Sequence, residues 1–308
     1  MSSDDARNIT AIATLGLGEA GTAITIGLAE VWRMHNSTRR ILSVDTALGD
    51  NLRGAAINDR ATAIGVEVAG NYSEKLGEAG AVFSVVTGVE AKNAALAARD
   101  VLKPGTLFFD INTLTGPQTA DIAAEMFKAG IDYVDFAAMG GFAASGYKVP
   151  FVVSGPAAER AAAFLTPFGF NVTVMSERAG DASAVKIIRS VMVKGIEALG
   201  VECMVAAHRA GLVDEVLNCF SDIDTRTFAG MVKSLTTTHL VHAKRRMEEM
   251  DKAQENLIEL GIRPLMSERT RESHARTVDA DVAPIDASLP NFEEALEILS
   301  EKVISYPG

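Results

Sequence analysis

The run Gly16-Leu17-Gly18-Glu19-Ala20-Gly21 has the spacing of a turn that cradles the pyrophosphate of a dinucleotide. Gly16 would allow the tight turn, Gly18 would let backbone approach the phosphates, and Gly21 would let the following helix pack closely on its strand. Leu17, Glu19 and Ala20 complete this cofactor-binding turn, and the helix it opens directs partial positive charge at the anion. Glycines also cluster in ordinary loops, so the reading needs an acidic residue at the end of the second strand. Asp45, closing Ile41-Leu42-Ser43-Val44, supplies it. A carboxylate there accepts hydrogen bonds from ribose hydroxyls and repels a 2′-phosphate, which favours NAD over NADP. Arg39, Arg40 or Arg53 would be the residues able to reverse that preference, and Thr87 is expected as a further cofactor contact.

The elements that must position these residues follow from the apolar pattern. Short strand candidates at Ile9–Leu15, Arg40–Asp45, Val66–Ala69, Ala81–Val86, Leu107–Ile111, Tyr133–Phe136, Pro150–Ser154 and Val172–Val174 alternate with helical stretches. That alternation predicts a doubly wound α/β sheet whose strand C-terminal ends form the cofactor crevice. One such helix, Ala91–Leu102, stops at Lys103-Pro104-Gly105. The spacing between the glycine turn and Asp45 is long for this unit, and a loop through Met34-His35-Asn36-Ser37-Thr38 accounts for the extra residues. From Gly180 onward the pattern changes: Ala182–Arg209, Ala243–Leu260 and Phe292–Ile304 carry helix-period apolar residues without strand punctuation. The most polar stretch, Ser267–Asp281, reads as surface helix and loop. The first helix of this all-α part would run long between the domains, so residues near its start are candidates for lining a cleft.

Composition narrows the function classes. The 308 residues suffice for about two domains of ordinary size, and 48% hydrophobic content is ample for their cores. A formal charge of -11, from 29 Lys+Arg against 40 Asp+Glu, opposes nucleic acid or an anionic membrane as the main partner. A small molecule is the better expectation. Only Cys203 and Cys219 are present, with no CxxC pair and no metal-ligand spacing, so neither a disulfide framework nor a metal site is expected. The polar start Met1–Arg7 does not read as a secretion signal, and no apolar run is long enough to cross a bilayer. A cytoplasmic protein is the expectation.

Four stretches together resemble the β-hydroxyacid dehydrogenase superfamily, whose relatives include 3-hydroxyisobutyrate dehydrogenase and 6-phosphogluconate dehydrogenase. The glycine turn is the first. The second, Asp110-Ile111-Asn112-Thr113-Leu114-Thr115-Gly116-Pro117, is similar to the family's D-x-S-T-x-x-P loop beside the nicotinamide, with Asn112 in place of serine and the proline one residue late. An Asx-turn closing a strand is the plain alternative. Third, Asp135-Phe136-Ala137-Ala138-Met139-Gly140-Gly141 resembles the substrate-binding D-A-P-V-S-G-G segment, with Met139 at the serine position. Gly140 and Gly141 can still present backbone N–H groups to a substrate carboxylate, although a flexible glycine turn has the same composition.

The fourth stretch, Gly180-Asp181-Ala182-Ser183-Ala184-Val185-Lys186-Ile187-Ile188-Arg189-Ser190, resembles the family helix G-x-G-x-x-x-K-x-x-N/H-N. The resemblance places Lys186 on the catalytic lysine, which moves a proton to or from the substrate oxygen. A partly desolvated ammonium can have its pKa lowered toward neutrality, which suits that task; a solvated helix lysine is the bland alternative. Arg189 and Ser190 stand three and four residues on, sharing its helix face. Ser190 takes the place of the family asparagine. Arg189 is either a fork for a carboxylate or phosphate or an interdomain salt-bridge residue. The basic cluster His239–Met250 is similar to a little-characterised subgroup with its own type of C-terminal domain. His242 and Arg246 share a helix face and are candidate substrate contacts, against the usual explanation of such a run as a solvated surface. The family's Lys-Asp pair on this helix is replaced by Glu248-Glu249, so that feature is not carried over.

The expected architecture is α/β: an N-terminal Rossmann-type doubly wound sheet over residues 1–178, which binds the cofactor, then an all-α substrate and oligomerisation domain over 179–308. The expected activity is that of an NAD-dependent dehydrogenase acting on a small hydroxy acid or polyol-derived acid, in a homodimer or higher homo-oligomer. Two alternatives stand beside it. An imine reductase can share this architecture, but the lysine position is then commonly another residue. A non-catalytic NAD(H)-binding sensor or scaffold would keep the glycine turn alone.

Overall fold

The structure, a computed structural model, describes residues 9–34, 39–73, 75–284 and 288–305. The loop expected through residues 35–38 and the segment Met1–Arg7 lie outside the described residues. The chain divides into two compact units, Met1–Val191 and Met192–Gly308.

The first unit runs β1 (Ala11–Leu15), α1 (Glu19–Met34), β2 (Arg40–Val44), α2 (Gly54–Ile64), β3 (Glu67–Ala69), β4 (Ala81–Ser84), α3 (Ala91–Arg99), β5 (Leu107–Asp110), α4 (Gly116–Lys128), β6 (Asp132–Ala138), α5 (Phe142–Ser145), β7 (Phe151–Ser154), α6 (Ala158–Leu165) and β8 (Val172–Ser176). Each of the eight strand candidates forms a strand, with ends moved by one or two residues. The strands make one sheet in the order β3-β2-β1-β4-β5-β6-β7-β8. All pairs are parallel except β6 with β7. Order reverses beside β1, which places a crevice beyond the C-terminal ends of β1 and β4.

Burial on both faces explains why the central strands read as continuous apolar runs. Side chains alternate across the sheet: Phe109 enters the layer under α1 and α6 with Ile12, Phe83 and Phe136, whereas Phe108 enters the opposite layer under α3 and α4 with Ala13, Val82 and Tyr133. Phe83 and Phe109 stack at 4.5 Å between ring centroids, and Phe136 meets Phe151 at 4.4 Å. These rings fill the layer under α1 and α6. Local signals set the helix ends. Thr115 and Gln118 close a capping box at α4, and Gly65 ends α2 at φ +78°.

A 30-residue helix, α7 (Asp181–Ala210), begins in the first unit and continues into the second. The second unit then has α8 (Val213–Asn218), α9 (Ser221–Asp224), α10 (Phe228–Glu259), α11 (Leu265–Asp279) and α12 (Phe292–Lys302). Here α10 is far longer than its apolar pattern alone marked, because Thr227 caps it well upstream of Ala243 and accepts the Gly230 N–H. The polar stretch after Ser267 is almost entirely helix. It packs antiparallel on α10, with Arg271 bonded to Asp251 at 2.9 Å and His239 to Thr277 at 2.7 Å. Glu202 on α7 accepts the Met266 and Ser267 N–H groups at the first turn of α11, and so joins those two helices.

The start of α7 depends on a close approach. Gly180 adopts φ +101°, and a Cβ there would collide with the carbonyl oxygen of Gly116. Gly180→Ala is expected to cost about 1–3 kcal/mol from backbone strain and this contact, read as a lower urea midpoint at unchanged slope.

Candidate functional site

The glycine turn spans the end of β1 and the first residues of α1. Gly16 adopts φ +90°, and a Cβ there would come within 2.5 Å of the Val85 carbonyl oxygen; one on Gly21 would strike the Gly16 carbonyl. Around Gly18 the space a side chain would take is open. Two glycines are thus demanded by the fold, while the third keeps a space clear. Leu17 turns its side chain down onto Ile57 and Ala61, leaving only its backbone for the turn. Glu19 is exposed and Ala20 half-buried at the start of α1.

Asp45 braces this turn. Its Oδ2 accepts the Leu17 N–H at 3.0 Å and its Oδ1 the Ala47 N–H at 3.0 Å, so one carboxylate ties the end of β2 both to the glycine turn and to the short 3-10 turn that follows. Carboxylate oxygens have further lone pairs, which leaves capacity for ribose hydroxyls. Beside it lies a groove of about 870 Å³, lined by Gly16, Gly18, Asp45, Arg53, Tyr72 and Thr87 among others. Arg60 and Asn93 also line it. Neither was marked by the sequence pattern, because each sits on a helix whose outward face carries many polar residues. The structure separates the three arginines that could favour a 2′-phosphate. Arg40 pairs with Glu78 and Arg39 lies over the Trp32 and Phe168 rings, whereas Arg53 reaches the groove.

Beyond β5, Asp110, Asn112, Ser84 and Tyr133 form a buried polar chain. Tyr133 Oη donates to Asp110 Oδ2 at 2.7 Å; Asn112 donates to Asp110 Oδ1 from its backbone at 3.0 Å and from Nδ2 at 2.7 Å, and Nδ2 also reaches Ser84 Oγ at 2.9 Å. The backbone bond is the Asx-turn anticipated as the plain alternative, and it coexists with a chemically open atom. Asn112 Oδ1 is buried without a hydrogen-bond partner. Burial pushes the Asp110 carboxyl up to about 6, against the lowering effect of the Tyr133 and Asn112 bonds. Thr113 is exposed next to this loop.

Asp135, on β6, is completely buried and accepts from four donors: Gly180 N–H at 3.0 Å, Ser183 N–H at 3.0 Å, Ser183 Oγ at 2.6 Å and Ser154 Oγ at 2.9 Å. The first turn of α7 is thereby locked to the sheet, and Lys186 follows Ser183 by three residues. Lys186 is half-buried, and burial lowers its pKa below the ordinary lysine value while the negative charges of Asp135 and Asp110 pull it back up. An amine so placed, between desolvation and two carboxyl groups, can exchange a proton more readily than a surface lysine. Ser190 Oγ donates to the Lys186 carbonyl at 2.9 Å, and Arg189 is exposed. Met139, Gly140 and Gly141 end β6 and lead into α5, with Met139 half-buried and both glycines exposed.

The residues fit a dinucleotide: the cleared space at Gly18, the open end of α1, the ribose-side carboxylate and the unpartnered Asn112 Oδ1 are the features such a ligand uses. His242 and Arg246 belong to the second unit, on α10, where both are half-buried. Their neighbours His239 and His274 stack at 4.9 Å between centroids, a pairing invisible in the sequence because it joins α10 to α11. Burial first, then the positive charges of His274 and Arg246, holds His239 down to about 4. Among the described residues no group of His, Cys, Asp and Glu could hold a metal ion, and no helix is long and apolar enough to cross a membrane.

Residues 207–277 match a family described as a domain of unknown function, DUF1932. Over 208 residues the chain is 25% identical to an uncharacterized 28.5 kDa protein of the 7S RNA 5′ region of Methanothermus fervidus, a match that covers 68% of this chain and 80% of that one. Among solved structures, the conserved protein of unknown function MTH1747, noted for structural similarity with 3-hydroxyacid dehydrogenases, is 28% identical, with a TM-score of 0.56 over 87% of this chain and 97% of that one. A reductive aminase from Aspergillus terreus, in complex with NADPH and ethyl levulinate, has a TM-score of 0.72 over 95% of this chain and 100% of that one. At 13% identity the likeness to the aminase is one of fold.

Two outcomes follow from this geometry. Asp135→Ala should cost about 3 kcal/mol or more, since four buried donors lose their acceptor, measured by urea unfolding. The folded His239 has a pKa below its unfolded value of 6.5. Its contribution is therefore present above pH 6.5 and is lost as pH falls toward 4. Thermal midpoints should decline across that window less steeply in His239→Gln than in the parent.

Proposed function

We infer, for a chain that carries a DUF1932 domain and has a 3-hydroxyacid-dehydrogenase-like fold, that the protein is a nicotinamide-dependent oxidoreductase acting on a small hydroxy acid or polyol-derived acid, with Lys186 as general acid/base. The observation that carries this reading is the half-buried Lys186, within electrostatic reach of Asp135 and Asp110 and in the same unit as the cleared space at Gly18. NAD is preferred over NADP because Asp45 sits at the ribose end of the groove.

A bound nicotinamide would supply hydride acceptance and donation at the substrate carbon. In the oxidative direction the neutral amine of Lys186 accepts the hydroxyl proton; in the reductive direction its ammonium returns that proton to the carbonyl oxygen. Asn112 Oδ1 is an acceptor suited to the carboxamide, with the exposed Thr113 beside it in the loop and Thr87 lining the groove. Gly140 and Gly141 offer backbone N–H groups to the substrate carboxylate, and the half-buried Met139 precedes them as a further substrate contact. Arg189 supplies a guanidinium fork one helical turn beyond Lys186. Ser190, whose hydroxyl is engaged by the helix backbone, is left with acceptor capacity only.

The protein is further proposed to work as a homodimer in the cytoplasm. Two exposed, unpaired cysteines suit a reducing compartment. On α7, Ile188 is 70% and Val191 76% exposed, in a run that also includes Ile196, Leu199 and Val201; a helix apolar on several sides calls for cover.

Lys186→Ala should keep NADH binding and lose turnover by about a hundredfold or more, assayed by NADH formation with β-hydroxy acids and sugar acids. Gly18→Val should fold normally, by circular dichroism, yet fail to bind NADH by fluorescence. Cofactor binding without turnover on any acid, together with reduction of a cyclic imine, would replace the hydroxy acid by an imine as substrate. Full turnover in Lys186→Ala would end the acid/base role.

A further inference from the structure

A second polar centre lies wholly within the DUF1932 part of the chain, where α10 and α11 pack side by side. Arg246 is half-buried there, and among the described residues its guanidinium donates to Thr238 Oγ1 at 2.9 Å, a neutral hydroxyl. Among the described residues no carboxylate comes within ion-pair distance of it. Glu249 is within electrostatic reach but is bonded to Arg245, and Asp251 is taken by Arg271 at 2.9 Å. The imidazole of His274, stacked on His239, keeps its Nδ1 buried without a partner. On its other side His239 is fixed through Nε2 to the buried Thr277 hydroxyl at 2.7 Å.

Partly buried guanidinium groups are ordinarily matched by an anion, because desolvation of an unmatched charge is costly. In this cluster three groups capable of donating lie on the packed helices α10 and α11, and among the described residues no carboxylate pairs with Arg246. We propose that His239, Arg246 and His274 form a binding site for a small oxyanion, a carboxylate or a phosphate. The fork of Arg246 would take two of its oxygens or bridge one, and His274 Nδ1–H would donate to it. His239, held in orientation by Thr277, would back the site with a ring that gains a proton more easily once the anion is present. Burial holds both imidazoles below their ordinary pKa, with the charges of His274 and Arg246 adding to it at His239 and that of Arg246 at His274. Nothing in this assignment rests on the oxidoreductase reading, since every residue in it belongs to the second unit.

The test uses the full chain with labelled histidine side chains, titrated separately with inorganic phosphate and with acetate at constant ionic strength. Saturable shifts of the His239 and His274 ring resonances, with His208 unmoved, are expected with at least one of the two anions. A response to phosphate alone or to acetate alone names the source, and a response to both identifies a general oxyanion site. Arg246→Gln should weaken binding roughly tenfold to a hundredfold, the scale of a charge-assisted hydrogen bond, while Arg245→Gln should leave it unchanged. Should Arg246→Gln fail to fold by circular dichroism, Arg246→Lys keeps the charge and removes the fork, and a clear loss of affinity is expected there too. Absence of saturable shifts up to concentrations on the order of 50 mM, well above a millimolar Kd, would overturn the proposal. So would equal affinity in the Arg246 variants.

Discussion

The buried carboxylate of Asp135 is the joint on which the first unit is assembled. It sits on β6, next to the antiparallel pairing of β6 with β7, and draws Ser154 from one strand and Gly180 and Ser183 from the start of α7 onto a single pair of oxygens. Ser183 is bonded in turn by Thr119 of α4, and Ser154 Oγ accepts the Ala182 N–H. A carboxylate without water stays in place only when nearly every lone pair is used. That requirement makes the arrangement unforgiving, and it gives the first turn of a long helix a definite origin and direction. Lys186 inherits its position from this joint.

Asp45 at the end of β2 and Asp110, the register partner of Asp135 on β5, apply the same economy. Each uses its carboxylate to organise backbone, Asp45 for the glycine turn and Asp110 for the loop after β5, before any ligand is considered. The polar groups left over are few, and they concern chemistry: Asn112 Oδ1 among buried atoms, Lys186 among half-buried ones. A site built in this manner has its reorganisation done at folding, which is the condition for electrostatic groups to act strongly on a bound molecule.

The second unit is held differently. Its apolar cluster around Leu240, Ala295 and Leu299 is small, so polar joints carry much of the helix placement: Glu202 at the first turn of α11, Arg271 with Asp251, and His239 with Thr277. Large apolar residues remain exposed along α7. Buried area is what ordinarily stabilises a helical domain, and a unit with this distribution keeps much of its apolar surface available for an association.

Periodicity and turn chemistry, both local, determined much of this protein from sequence. Eight apolar segments in alternation with helices specified the sheet, and Gly16 marked a turn where backbone must come close. The glycine run with Asp45 also placed the groove, because a parallel sheet has its crevice where strand order reverses. Tertiary structure alone decided which polar residues share a locality. Asp135 looked like the first letter of a substrate segment, yet its side chain is spent on the origin of α7. His239 and His274 stand 35 positions apart and meet only because α11 folds back along α10. Arg39, Arg40 and Arg53 were equivalent as letters, and their separation came from which neighbour each could reach. Hydrogen bonds and ion pairs are short-ranged and directional, so their partners depend on angstrom-scale placement of distant segments, whereas burial patterns are written in the order of the residues themselves.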